Sequence, residues 1–264
     1  MLITVVVAAL ALVGGVAANR LLHRRAVGDD TEGLSVSDLT GPMQTMTVLV
    51  LAFVLAMAAG SHGNAEEAAL AEAGAVDHMY EVADFVPAAR RERLQAAVVC
   101  YTRAVRAVEW PAPAGGRASP EVTVWSTDFR VALRELGGAP PFEMLVVADD
   151  RRAQARQTRL AESSPTIPGG IYWFMLVSLA VTIVALGLCL PRTGNRPQLV
   201  ALLVITALLT GALLMIRDVE RPFTGLIRVP PTAIADTGEQ ATRAFRAAYG
   251  TDGLPCDDRG GRRT

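Results

Sequence analysis

Four stretches of this chain contain no Asp, Glu, Lys, Arg or His: residues 2–18, 43–59, 171–190 and 199–216, each 17 to 20 residues long. About 20 such residues, wound as a helix, cross the hydrocarbon core of a bilayer, and about 17 still fall within range. Core helices of soluble proteins rarely go that far without a charge, so the pattern predicts an all-α integral membrane protein with four transmembrane helices. The 51% hydrophobic content fits this reading, because it is gathered into the four blocks rather than spread along amphipathic elements. A cleaved signal peptide is the competing reading of the first block, whose end offers small residues in "GVAAN". Signal peptides open on a basic segment, whereas this chain opens Met-Leu-Ile-Thr and places Arg20, Arg24 and Arg25 after the block. That order favours an uncleaved anchor with its N-terminus outside.

The four blocks divide the chain into a transmembrane hairpin (1–59), a helical domain inserted between spans two and three (60–170), a second hairpin (171–216), a juxtamembrane elbow with a short helix (217–250) and a tail expected to be disordered (251–264). The two short loops are basic: Arg20, Arg24 and Arg25 in the first, Arg192 and Arg196 in the turn at 191–197. Short basic loops stay in the cytoplasm, while domains beyond about 60 residues cross largely regardless of charge. The expectation is therefore a multi-pass protein of the plasma (inner) membrane with its large domain and C-terminus outside the cytoplasm. Arg151, Arg152, Arg156 and Arg159, close before span three, pull the other way.

Within the inserted domain, Leu94, Val98, Tyr101, Val105 and Val108 recur at spacings of four and three, which makes one apolar helix face. Ser119 followed by Pro120 reads as a helix start, with a second stripe over Val122, Trp125, Phe129, Ala132 and Leu136. Two weaker helices are expected over 65–85 and 142–160. Prolines and glycines at 87, 111–116 and 137–141 punctuate the four, so a helical bundle standing on the membrane is expected. After Pro231, Asp236 or Thr237 can cap a short helix ending at Gly250.

The residue inventory excludes much chemistry. All 25 positive side chains are arginine and none is lysine, so P-loop, Schiff-base, Ser-x-x-Lys and kinase-type lysines are absent. The three histidines, His23, His62 and His78, form no His-x-x-x-His pair, and no Gly-x-Ser-x-Gly or Gly-x-Gly-x-x-Gly motif occurs. No catalytic residue, metal or cofactor is expected, and no nucleic-acid partner; the chain does not read as an enzyme. Proton-coupled carriers keep acidic, basic or histidine side chains at bilayer depth, and these spans keep none. A passive pore lined by hydroxyls and backbone remains open.

Two groups of residues are ambiguous. Arg152, Arg156 and Arg159 share one helix face and could contact a small anion or lipid head groups, or pair with nearby acids such as Asp149 and Asp150; the pairing is favoured. Cys100 and Cys256 fall on the same side of the membrane in any four-span topology, so they are either a disulfide or two unrelated thiols, as the compartment decides. Cys189, inside span three, reads as an apolar filler.

The fourth block runs directly into "RDVERPFTGLIRVPP". Asp218 and Arg221 mark the membrane boundary, Pro222 ends the helix, Phe223 can pack into the foot of the domain and Gly225 permits a turn. Together with "CYTRAVRAVEWP" and "RLAESSPTIPGGIYW", this signature resembles the bacterial bestrophin-like integral membrane family over roughly residues 1 to 250. The resemblance implies two spans, a helical domain of about a hundred residues and two more spans, in a homo-oligomer embedded in the lipid bilayer. Through bestrophins it also implies an anion channel. The acids that follow Pro-Phe-Gly in bestrophins and help to hold calcium are missing here, and span two has one aromatic, Phe53. The expected function is accordingly a membrane protein of this family conducting ions, or else a non-conducting envelope sensor or scaffold acting through its exposed domain.

Overall fold

The computed structural model of the chain describes residues 1–26, 36–111, 116–137, 141–165, 167–190, 196–250 and 253–263, with side chains described except at 22–39 and 89. Much of the first loop and most of the turn at 191–197 lie outside these residues. The regular elements of the described residues are helices: α1 (Leu2–Ala26), α2 (Val36–Val82), α3 (Ala88–Ala104), α4 (Pro120–Glu135), α5 (Phe142–Glu162), α6 (Gly169–Leu188), α7 (Arg196–Val219) and α8 (Thr232–Tyr249). A 3-10 turn follows α2 and a π-helical turn over Val105–Glu109 follows α3. Four helices contain candidate membrane spans, namely α1, α2, α6 and α7.

The chain divides into two compact units, one of Met1–Gly60 with Thr166–Glu220, the other of Ser61–Pro165 with Arg221–Thr264. The division falls inside α2, a 47-residue helix, where the sequence suggests separate segments on either side of residue 60.

In the first unit α1 lies along α6. Lipid is as apolar as leucine, so helices in a membrane associate by close packing and hydrogen bonding rather than by hydrophobic expulsion. Both devices are present. A Cβ on Gly187 would lie 2.9 Å from the Gly15 carbonyl carbon, so the backbones of α1 and α6 approach as closely as two glycines allow. Hydroxyls tie the helices at other levels. Thr4 shares a 2.5 Å hydrogen bond with the Tyr172 phenol, and Thr47 Oγ1 lies 2.9 Å from both Ser178 Oγ and Thr182 Oγ1. Asn19 Nδ2 donates to the Leu190 carbonyl. Inside lies a core that includes Leu51, Val54, Leu176, Leu179, Ile183 and Leu213, while Leu10, Leu49, Phe53, Val177 and Leu208 are exposed.

The second unit has a conventional packed core. Leu94, Val98, Tyr101 and Val105 from one stripe meet Val122, Trp125, Phe129 and Ala132 from the other. The hydroxyl of Ser119 accepts from Val122 N, and Pro120 occupies the first turn of α4, where its missing N–H costs nothing. α8 packs on α3.

The C-terminal stretch departs from expectation. Residues 253–263 are not a disordered tail but lie on this unit, with Leu254 and Cys256 buried. Gly260 adopts φ +79°, and a Cβ there would fall 2.4 Å from the Ala104 nitrogen, so only glycine lets the chain cross α3 so closely. Its carbonyl accepts a 2.7 Å hydrogen bond from Trp125 Nε1. No periodic apolar pattern announces this docking, because backbone contacts and a disulfide make it.

Candidate functional site

The most unusual feature of the second unit is a set of ionised side chains at the centre of its core. Asp149, Arg152, Arg156 and Arg159 follow one another along α5 at spacings of three and four, and so share the face turned to the bundle interior. Opposite them stand Glu72 from α2 and Glu109 from the π-helical turn, only 1% and 4% exposed. The π turn is what aims Glu109: Trp110 N donates to Val105 O, five residues back, so the helix takes up an extra residue just before its end.

Arg156 grips Glu109 with both arms of its fork, Nη2 to Oε1 at 2.5 Å and Nε to Oε2 at 3.2 Å. Arg159 bridges two carboxylates, donating from Nη2 to Glu109 Oε2 and from Nε to Glu72 Oε2. Tyr101 completes Glu72 by donating its hydroxyl to Oε1 at 2.6 Å, and Ser119 N donates to Glu109 Oε1 at 2.9 Å. Arg152 pairs with Asp149, donates to Ser126 Oγ at 3.1 Å and stacks over the rings of Tyr101 and Phe129. Three guanidinium groups thus face three carboxylates in a dry core.

Such a set persists only if nearly every donor and acceptor is matched, since an unpaired buried charge is costly. Burial pushes the Glu109 carboxyl up, but the hydrogen bond from Arg156 and the charges of Arg159 and Arg156 outweigh it, holding the group below the ordinary carboxylate range. Burial and then the neighbouring Glu72 push the Tyr101 phenol well above its ordinary value, so it remains a donor. Burial would lower Arg159, yet Glu72 and Glu109 raise it overall. Each carboxylate of the network is paired with at least one guanidinium group. What the network does is lock α2, the π turn and α5 to one another.

The elbow closes onto the edge of this network. Pro222 O accepts from Val229 N at 2.6 Å, and Arg221 O accepts from Thr224 N and Gly225 N, so residues 221–229 form a closed loop. Phe223 meets the edge of Trp110 with ring centroids 5.2 Å apart, and Val229 O accepts from Trp110 Nε1 at 3.2 Å. Trp110 in turn lies under the Arg159 guanidinium. Asp218, the residue of the signature at the end of α7, is buried in the first unit.

Cys100 on α3 and Cys256 in the tail are joined by a disulfide, and both are fully buried. Arg152, Arg156 and Arg159 do share a face, but they are 1%, 7% and 2% exposed and ion-paired, so they are not offered to a free anion or a head group. Of the acids named as their partners, Asp149 pairs with Arg152 while Asp150 is exposed. Glu72 and Glu109, the partners of the other two arginines, come from distant parts of the chain. The one available signal was an acid beside the Trp-Pro of "CYTRAVRAVEWP". Among the described residues no group of three or more His, Cys, Asp or Glu side chains could hold a metal ion.

Fold and site together define a helical membrane protein of four candidate spans, with a helical domain between the second and third whose apolar core encloses a network of ion pairs. The bestrophin-like domain matches residues 5–234, and the chain belongs to that family. Among solved structures, a bacterial bestrophin homolog from Klebsiella pneumoniae is similar at 12% identity and TM-score 0.69, covering 93% of this chain and 98% of that one. A variant of that homolog with a tryptophan changed to alanine gives TM-score 0.70 at 12% identity, over 92% and 97% of the two chains. At such identity the likeness is one of fold. No curated protein matches the chain.

Proposed function

We propose that this protein is the subunit of a homo-oligomeric, passive anion channel of the plasma membrane, with its inserted domain and C-terminus outside the cytoplasm. The observation that carries the reading is the extent of the family match, which runs through both hairpins and the whole inserted domain. Bestrophins, the family's namesake, are anion channels. The uncharged spans support passive permeation over coupled transport, because coupling requires groups that titrate or pair at bilayer depth. An enzyme finds no support in a core whose carboxylates and guanidinium groups are already paired to one another. The segment "TGLIRVPP" after Phe223 carries no acid, so conduction should not require calcium.

The exterior placement rests on two features. A disulfide persists in an oxidising compartment, which the cytoplasm is not. The arginines that argue for the opposite orientation are in part neutralised, since Arg152, Arg156 and Arg159 each pair with a carboxylate.

The deciding experiment is reconstitution of the purified protein into liposomes loaded with a chloride reporter. Anion flux that scales with protein content and is unchanged by a calcium chelator is expected. A folded oligomer that passes no anion would refute the channel and leave the non-conducting sensor or scaffold in its place.

A further inference from the structure

A groove of about 500 Å³ opens between α3 with its π turn and α8, bordered by Asp258 of the disulfide-bonded tail, and the ionic core does not include it. That volume lies within the usual range for small-molecule sites. Its floor is formed where the two helices come closest: a Cβ on Gly238 would stand 2.6 Å from Thr102 Oγ1. Its walls carry two opposed pairs of arginines. Arg103 and Arg106 stand on one side, and Arg243 and Arg246, one turn apart on α8, on the other. Glu239 and Asp258 are the acids that line it, so four guanidinium groups against two carboxylates leave an excess of two positive charges.

The charges are unevenly satisfied. Arg106 reaches Glu239 at 3.4 Å and Arg103 reaches Asp258 at 3.5 Å, both long contacts, and the Asp258 side chain is 95% exposed. Arg243 and Arg246 are exposed and form no ion pair among the described residues. Burial, and then the charges of Arg246 and Arg263, hold the Arg103 guanidinium below its ordinary value despite Asp258. A bound anion would relieve that repulsion.

We propose that this groove binds a phosphate group, free or as part of a larger molecule. Planar guanidinium forks grip phosphate oxygens through paired hydrogen bonds, and a phosphate dianion matches the excess of two charges. A halide uses neither the forks nor the volume. The phosphate can come from a water-soluble molecule or from a lipid head group, which share this chemistry. The site is built only from the residues of the groove, so it stands or falls independently of the channel reading.

The test uses the full-length protein in neutral detergent micelles and reads the thermal midpoint. One arm adds inorganic phosphate at ionic strength held constant with sodium chloride; the other adds phosphatidic acid to the micelles without free phosphate. A ligand that binds the folded state raises the midpoint progressively with concentration. The rise is expected in wild type and in Arg134→Gln, an exposed arginine elsewhere on α4, and should vanish in the Arg243→Gln/Arg246→Gln double variant. Arg246→Lys, which keeps the charge but loses the fork, should show a smaller rise. A rise with free phosphate identifies a water-soluble source, and a rise confined to the lipid arm identifies a head group. No rise in either arm, or one that survives the double variant, overturns the proposal.

Discussion

Replacing Glu109 by glutamine removes the carboxylate that Arg156 and Arg159 share, and leaves two guanidinium groups in a dry core with only Glu72 to answer them. Breaking a buried pair from one side costs about 3–5 kcal/mol, because the partner stays buried without its counter-charge. Glu109→Gln should therefore lower the thermal midpoint of the detergent-solubilised protein far more than Glu121→Gln, whose parent carboxylate is exposed. The same pair sets a pH dependence. Because the folded protein holds Glu109 below its ordinary value of 4.5, its stabilisation is complete above that pH and is lost as pH falls through the lower folded value. A wild-type midpoint that drops on acidification below about 4.5, with a shallower drop in the variant, is the expected result. Which arginines would be buried was half legible from their spacing on α5. Which acids meet them was not, since Glu72 and Glu109 approach only through tertiary packing and an extra residue in the π turn.

At the level of elements, the approach of α1 to α6 depends on two glycines that face each other. A Cβ on Gly15 would lie 3.0 Å from the Val184 Cα, and one on Gly187 2.9 Å from the Gly15 carbonyl carbon, so neither helix can yield without moving backbone. Overpacking of this kind costs about 1–3 kcal/mol. Gly187→Ala should broaden or split the monodisperse peak in size-exclusion chromatography, whereas Gly211→Ala, with nothing within 4 Å of the new methyl, should leave it intact. The spans themselves were plain from their lack of charge, but which of them pair, and where, is written in single glycines that no short motif flags. The tail is a second element whose order is hidden in the sequence. Removing the disulfide with Cys100→Ser/Cys256→Ser should cost about 2–4 kcal/mol. It should also free Arg259, Arg262 and Arg263 for trypsin, visible by mass spectrometry as early loss of the C-terminus. Equal cleavage of wild type and variant would mean that Gly260 and Trp125 hold the tail without the covalent link.

At the scale of the whole molecule, the four spans and the inserted helical domain follow from the placement of charge, since apolar blocks free of acidic, basic and histidine side chains admit few other solutions in water or lipid. The side of the membrane is set by weaker quantities, namely a handful of arginines in short loops and the compartment a disulfide requires. These can be separated experimentally. In a Cys100→Ser/Cys189→Ser/Cys256→Ser background, Arg134→Cys places a single thiol at an exposed position on α4. In intact cells a membrane-impermeant maleimide should label it, and permeabilisation should add nothing. Labelling only after permeabilisation would put the inserted domain in the cytoplasm. The Cys100–Cys256 pair would then be kept reduced in cells, and a tail held by non-covalent contacts such as those of Leu254, Asp257, Gly260 and Arg262 would become more exposed to exchange.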